Sequence, residues 1–150
     1  MSSICFYFQV HQPFRIRNYS FFDIGQSHFY EDERANREIM NKVADKCYLK
    51  TNRKMLELIK RHEGKFRISY SISGTAMEQF EKYRPDVLQS FIDLAETGCV
   101  EFLAETYSHS LSFIFSREEF KRQVEKHGAM IKKYFNQVPK VFRNTELIYN

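Results

Sequence analysis

Three glutamates and two histidines lie on or just beyond short hydrophobic runs, where carboxylates and imidazoles can meet a substrate. His11 and Gln12 follow residues 4–10, and Ser73 and Gly74 follow residues 66–72. Glu101, Glu105, Thr106 and His109 lie on and beyond residues 100–104, while Arg143, Asn144 and Glu146 close residues 141–145. Two carboxylates flanking a glycosidic bond are what glycoside cleavage requires. One attacks the anomeric carbon or activates water, and the other protonates the leaving oxygen. Glu101, Glu105 and Glu146 all qualify, and spacing does not choose between them. Metal chemistry would draw on the same residues, with Glu105 and His109 four apart and His11 joining them. No HExxH or closely spaced multi-histidine motif is present, so neither a metal nor another cofactor is expected. Ser73-Gly74 ahead of a helix hints at an anion-binding pocket of backbone amides, without the pattern of a phosphate loop. Cys99, beside Gly98 at a helix–strand junction, reads as a small buried side chain rather than a nucleophile.

The runs that carry these residues read as strands, and the segments between them turn helical. Residues 4–10, 66–72, 100–104 and 141–145 are short and rich in β-branched and aromatic side chains. Residues 34–63 carry apolar positions at helical spacing, with Gly64 placed to stop them. Pro85-Asp86 opens a second helix whose apolar face is Val87, Leu88, Phe91, Ile92 and Ala95, with Gly98 behind it. Ser116 and Glu119 form a capping box ahead of a third, ended by Val138-Pro139. Residues 14–33 show no stable period and read as a long loop of the kind that carries function.

Strand and helix alternate throughout, which is the signature of an α/β fold with parallel strands and crossover helices. Reactive groups of such folds gather beyond the carboxyl ends of the strands, where His11, Glu105, His109 and Glu146 are expected. The chain stops directly after its fourth strand with no helix to cover it. A larger barrel, of which residues 1–150 are the N-terminal portion, is therefore expected.

Composition narrows the partners. Net charge is +4 with acids and bases mixed along every segment, so no nucleic-acid surface is indicated. No apolar run approaches the roughly 18 residues of a membrane span, and the start lacks the basic and apolar regions of a leader. The three cysteines are widely spaced, which suits free thiols and a cytoplasmic location. With 15 Phe and 9 Tyr but no Trp, most rings must build the core, leaving a few to stack on sugar faces in a groove.

The opening ICFYFQVHQPFR resembles the first signature of glycoside hydrolase family 57, in which a strand runs into His-Gln-Pro. GCVEFLAETYSHSL is similar to the second, at the third strand, and VFRNTELIYN to the third, whose glutamate is the family's nucleophile. The blocks occur in the expected order along essentially the whole chain. The resemblance implies the first four strands of an incomplete seven-stranded (β/α) barrel acting on α-glucans or malto-oligosaccharides with retention. It implies that Glu146 is the nucleophile and that His11 and Glu101 hold the sugar at the point of cleavage. The family's proton donor is an aspartate on a later strand, in the expected C-terminal part of the barrel. Gln12, His109, Arg143 and Asn144 complete the expected substrate-binding set, with Arg143 or Asn144 keeping Glu146 ionised. Cys99 departs from the commoner glutamine of the second block. The wording of the blocks is most similar to the α-amylase group. A metal-dependent polysaccharide deacetylase using His11 and His109, and a non-catalytic sugar-binding module, are the rival classes.

Overall fold

The computed structural model describes residues 4–148. Three parallel strands form its sheet in the order β1 (Tyr7–Val10), β2 (Ile68–Ile72), β3 (Val100–Phe102). All are shorter than their hydrophobic runs. The fourth expected strand is not a strand: residues 141–145 contribute one parallel bridge, Ala104 to Phe142. Two hydrogen bonds hold it, Ala104 N–H to the Val141 carbonyl and Arg143 N–H to the Ala104 carbonyl, both at 2.8 Å. The segment pairs in the expected direction and then turns into a single 3-10 turn, Thr145–Leu147. The α/β class with a parallel sheet therefore holds, with three strands and a bridge in place of four strands.

Helices occupy the crossovers. α1 (Glu33–Val43) starts where the Asp32 carboxylate accepts from the Ala35 amide at 2.9 Å. It continues through a π-helical turn, Ala44–Tyr48, into α2 (Leu49–Arg61). Gly64, at φ +76°, closes that run by donating its amide to the Ile59 carbonyl, a conformation glycine adopts without cost. Two helices then follow β2 where the sequence marked one. α3 (Gly74–Tyr83) begins immediately after the strand, capped by Ser73, and α4 (Pro85–Glu96) begins at the proline. In α5 (Arg117–Phe135) only half of the capping box forms. Ser116 Oγ accepts from Glu119 N–H, while the Glu119 carboxylate turns to Arg122 and Gln123.

Register sorts the sheet into two faces. Side chains alternate along a strand, and partners in a parallel ladder share a face. Phe8, Tyr70 and Phe102 are aligned, and they pack outward under the helices. Tyr70 meets Phe91 edge-on at 5.3 Å, Phe91 stacks on Phe80, and Phe102 stacks on Phe135 at 3.9 Å. Full burial of each such ring contributes about 1.5–3 kcal/mol. The opposite face carries Tyr7, Ser69 and Glu101 in one row, Gln9 and Ser71 in the next, then His11 and Ser73 just past the strand ends. One side of the sheet packs, and the other holds the polar groups.

The loop after β1 is more ordered than its sequence suggests. Ile16 and Glu31 pair antiparallel, Arg17 N–H donates to the Tyr30 carbonyl, and a 3-10 turn sits at Phe21–Asp23. Its tip leaves Phe21, Phe22 and Phe29 exposed.

Candidate active site

At the carboxyl end of the sheet the chain assembles a cluster of two imidazoles and two carboxylates. His11 leaves β1, and its ring stacks on that of His109 at 4.4 Å between centroids. Ser73 Oγ lies 2.7 Å from His11 Nδ1 and accepts from the Ala76 amide as the cap of α3. With two lone pairs and one hydrogen, Ser73 Oγ can serve that amide and still either donate to Nδ1 or accept from it, and it also meets Thr75 Oγ1 at 3.2 Å. Burial and the neighbouring His109 ring hold His11 below the ordinary histidine range, so it is a neutral donor near neutral pH.

His109 is held from both sides. Its Nδ1 lies 2.9 Å from Glu105 Oε2, and a carboxylate acceptor there requires the proton on Nδ1. Its Nε2 lies 2.9 Å from Gln9 Nε2 and 3.6 Å from Glu146 Oε1. Glu105 is completely buried and its second oxygen has no partner among the described residues. The Glu146 side chain is 67% exposed. Both His109 and Glu146 sit at φ +53°, in the left-handed region that costs a non-glycine residue about 1–3 kcal/mol and clusters at functional sites.

The structure brings His11, His109 and Glu146 together, and separates the other expected site residues from them. Glu101 lies on the polar face but in the row of Tyr7, four residues before His11, or about 13 Å along the strand direction. It lines a separate groove of about 480 Å³ at the opposite sheet end, with Arg67, Cys99 and Lys140. The Gln12 amide is spent within the protein, donating to Tyr48 Oη at 3.2 Å and accepting from Arg15 at 3.0 Å. The Arg143 guanidinium lies 5.7 Å from the Tyr7 ring, with Nε and Nη1 buried and unpartnered among the described residues. Asn144 donates to the Ile148 carbonyl at 2.6 Å, and its buried Oδ1 lacks a partner there. Neither Arg143 nor Asn144 reaches Glu146. Among the described residues His109 is the one basic side chain within 4 Å of the Glu146 carboxylate.

Glu105, Gln9 and Ser73 complete the cluster; the sequence marks Glu105 as a candidate catalytic carboxylate and Ser73 as a strand-end residue, and passes over Gln9. The alternation Tyr7, Gln9, His11 was the available signal for Gln9, since it puts the amide on the histidine's face. The four-residue spacing of Glu105 and His109 was visible, but the two meet across a turn rather than on a helix. A shared metal does not fit this geometry. Stacked rings keep their nitrogens from converging on one point, and no three His, Cys, Asp or Glu side chains among the described residues are arranged to hold an ion.

Comparison with known proteins places these blocks in context. The sequence model described as Glycosyl hydrolase family 57 matches residues 5–150. A protein of Methanocaldococcus jannaschii named "Putative alpha-amylase" is 47% identical over 153 residues, which take in 98% of this chain and 32% of the relative. The fold is similar to the 4-alpha-glucanotransferase of Thermococcus litoralis, with a TM-score of 0.70 at 16% identity, covering 97% of this chain and 19% of that one. It is also similar to the alpha-amylase AmyC of Thermotoga maritima, with a TM-score of 0.65 at 14% identity, covering 97% and 35%. The chain thus spans about a third of the length of its curated relative.

Proposed function

Since this chain belongs to glycosyl hydrolase family 57, we propose that the complete protein is a retaining glycosidase or transglycosylase acting on α-glucans, with Glu146 as its nucleophile. Ionised Glu146 attacks the anomeric carbon of a bound glucosyl unit, and the bond from that carbon to the leaving oxygen breaks as an acid protonates the oxygen. The conjugate base then takes a proton from water or an acceptor hydroxyl, which displaces Glu146 with a second inversion. The acid is an aspartate from beyond these 150 residues, its carboxyl roughly 5–5.5 Å from that of Glu146. The segment alone is inactive without it. The sheet is the opening part of a seven-stranded barrel, and free thiols suit a cytoplasmic enzyme.

The observation that supports this reading is the exposed Glu146 carboxylate beside the His11–His109 stack at the carboxyl end of the sheet. His11 Nε2 is open to a sugar hydroxyl, as donor or acceptor according to the tautomer. Arg143, Asn144 and Gln12 stay in the proposed substrate-binding set on the strength of the family blocks, although their contacts here are with Tyr7, Ile148 and the Tyr48–Arg15 pair. Glu101 and His109 remain in the proposed pocket set on the strength of the family block.

Glu146→Gln in the complete protein is expected to remove at least about a thousandfold of turnover on malto-oligosaccharides while folding and sugar binding persist. A fluorinated glycosyl donor should leave its adduct on the peptide holding residue 146. Substantial residual hydrolysis by the variant, or an adduct elsewhere, removes Glu146 from this role.

A further inference from the structure

We propose that Glu105 and His109 form a positioning pair for Glu146, in which the buried carboxylate grips the imidazole at Nδ1–H and the imidazolium presents Nε2–H to the nucleophile. This rests on the reading of Glu146 above and gives His109 a task other than touching sugar. Both ring nitrogens are already directed at protein groups: Nδ1 at Glu105 and Nε2 at Gln9 and Glu146. A fully buried carboxylate is costly unless a cation compensates it, and the His109 ring is the basic group within 4 Å of Glu105 among the described residues. The charge is shared onward, because the same ring is the basic group nearest Glu146.

The other titratable and charged groups around this ring come from β1, α5 and the bridge segment. From β1, His11 stacks on it as a neutral partner, with Arg15 beyond. Behind Glu105, His127 of α5 is also kept neutral by burial. On the bridge segment Arg143 faces Tyr7. Gln9 accommodates either state: its amide donates to a neutral Nε2 and, turned by half a rotation, accepts from a protonated one. His109 sits in a left-handed turn with no continuing strand or helix, so its ring is held by its neighbours: Glu105 at Nδ1, Gln9 at Nε2 and the His11 stack on its face.

The test uses the complete protein and α-maltosyl fluoride, whose leaving group needs no proton, so the general acid drops out of the pH profile. Glu105→Gln keeps the size and an acceptor for Nδ1–H but removes the charge. The alkaline limb of kcat/KM is expected about one to two pH units lower than in the parent, with KM within about twofold. A superimposable alkaline limb, or a raised KM with kcat kept, overturns the proposal. Should that variant fail to fold, histidine nitrogen spectra of the parent and of Glu146→Gln decide: His109 is expected to lose its proton at lower pH once the Glu146 charge is gone, and identical titrations overturn the pairing. A Glu146→Gln protein that still consumes the fluoride defeats the nucleophile assignment itself. An inactive Glu146→Gln with an unmoved Glu105→Gln limb defeats the pair alone.

Discussion

Replacing Gly74 by alanine sets two familiar effects against each other, and the structure decides the sign. Gly74 opens α3, and alanine is the better helix former, worth about 0.5–1 kcal/mol in its favour. A Cβ built there would meet three atoms of the Tyr107 ring at 2.3–2.4 Å, whereas ordinary contact begins at 3.4 Å. The ring must retreat by a full ångström, and it has little freedom to do so. Its hydroxyl donates to Glu78 at 2.5 Å, Lys126 Nζ sits 3.5 Å from its centroid, and its backbone carbonyl accepts from Gly74 N–H at 2.7 Å. Overpacking costs about 1–3 kcal/mol, and losing a charged hydrogen bond costs about 1.5–3 kcal/mol more. Gly74→Ala should therefore destabilise by about 1.5–5.5 kcal/mol net. Differential scanning calorimetry of the complete protein measures it, and a Tyr107→Leu background isolates the clash. There the same glycine substitution should be neutral or mildly stabilising. A single variant within about 0.5 kcal/mol of the parent, or an equal loss in both backgrounds, would refute the reasoning.

Two other perturbations probe buried polar groups. His127 is fully buried and Nε2–H donates to the Ile72 carbonyl at 2.9 Å; burial holds it below the ordinary histidine range. The unfolded chain therefore takes up this proton first, and the stabilisation, complete above the unfolded value near 6.5, is lost as pH falls towards the folded one. His127→Gln, which keeps a donor but cannot titrate, should flatten the loss of stability below pH 6.5 by up to about 1.4 kcal/mol per pH unit. Equal slopes in urea titrations at several pH values would count against it. Asn52 is buried in α2 between Ser90 Oγ, 2.8 Å from its amide nitrogen, and Tyr70 Oη, 3.2 Å from its carbonyl. Asn52→Ala strands the Tyr70 hydroxyl, while Ser90 Oγ keeps its bond to the Val87 carbonyl, and should cost about 1–3 kcal/mol; a loss well under about 1 kcal/mol would mean water replaces the amide.

The fold class was legible because period and punctuation agreed. Helical spacing with Pro85 and Gly64 at the boundaries, and β-branched runs between, leave few architectures open. The fourth strand was overread because Val141 and Phe142 carry the right side chains, while pairing needs a backbone neighbour, and β3 offers only the bridge at Ala104. α3 has no bounds of its own in the sequence: Ser73-Gly74 reads as standing ahead of a helix, but Pro85 is the start signal that stands out, and the Ser73 cap sets the true start at Gly74. At the site, motif order pointed to His11 and Glu146, and the left-handed turns that aim His109 and Glu146 leave no pattern in sequence. The remoteness of Glu101 from His11 follows from register, which no single strand's sequence records.

The π-helical turn at Ala44–Tyr48 has a consequence for anyone trimming this chain. It widens one coil by a residue, and Tyr48 at its end is the group that receives the Gln12 amide beneath His11. That extra residue is absorbed within the one coil, so the turns on either side keep the faces that bury Met40 before it and Asn52 and Ile59 after it. Deleting one residue between 44 and 48 should therefore restore ordinary α geometry from Glu33 to Arg61 with those faces kept. The disturbance falls on the coil that carries Tyr48, and so on the footing of a histidine more than thirty residues upstream.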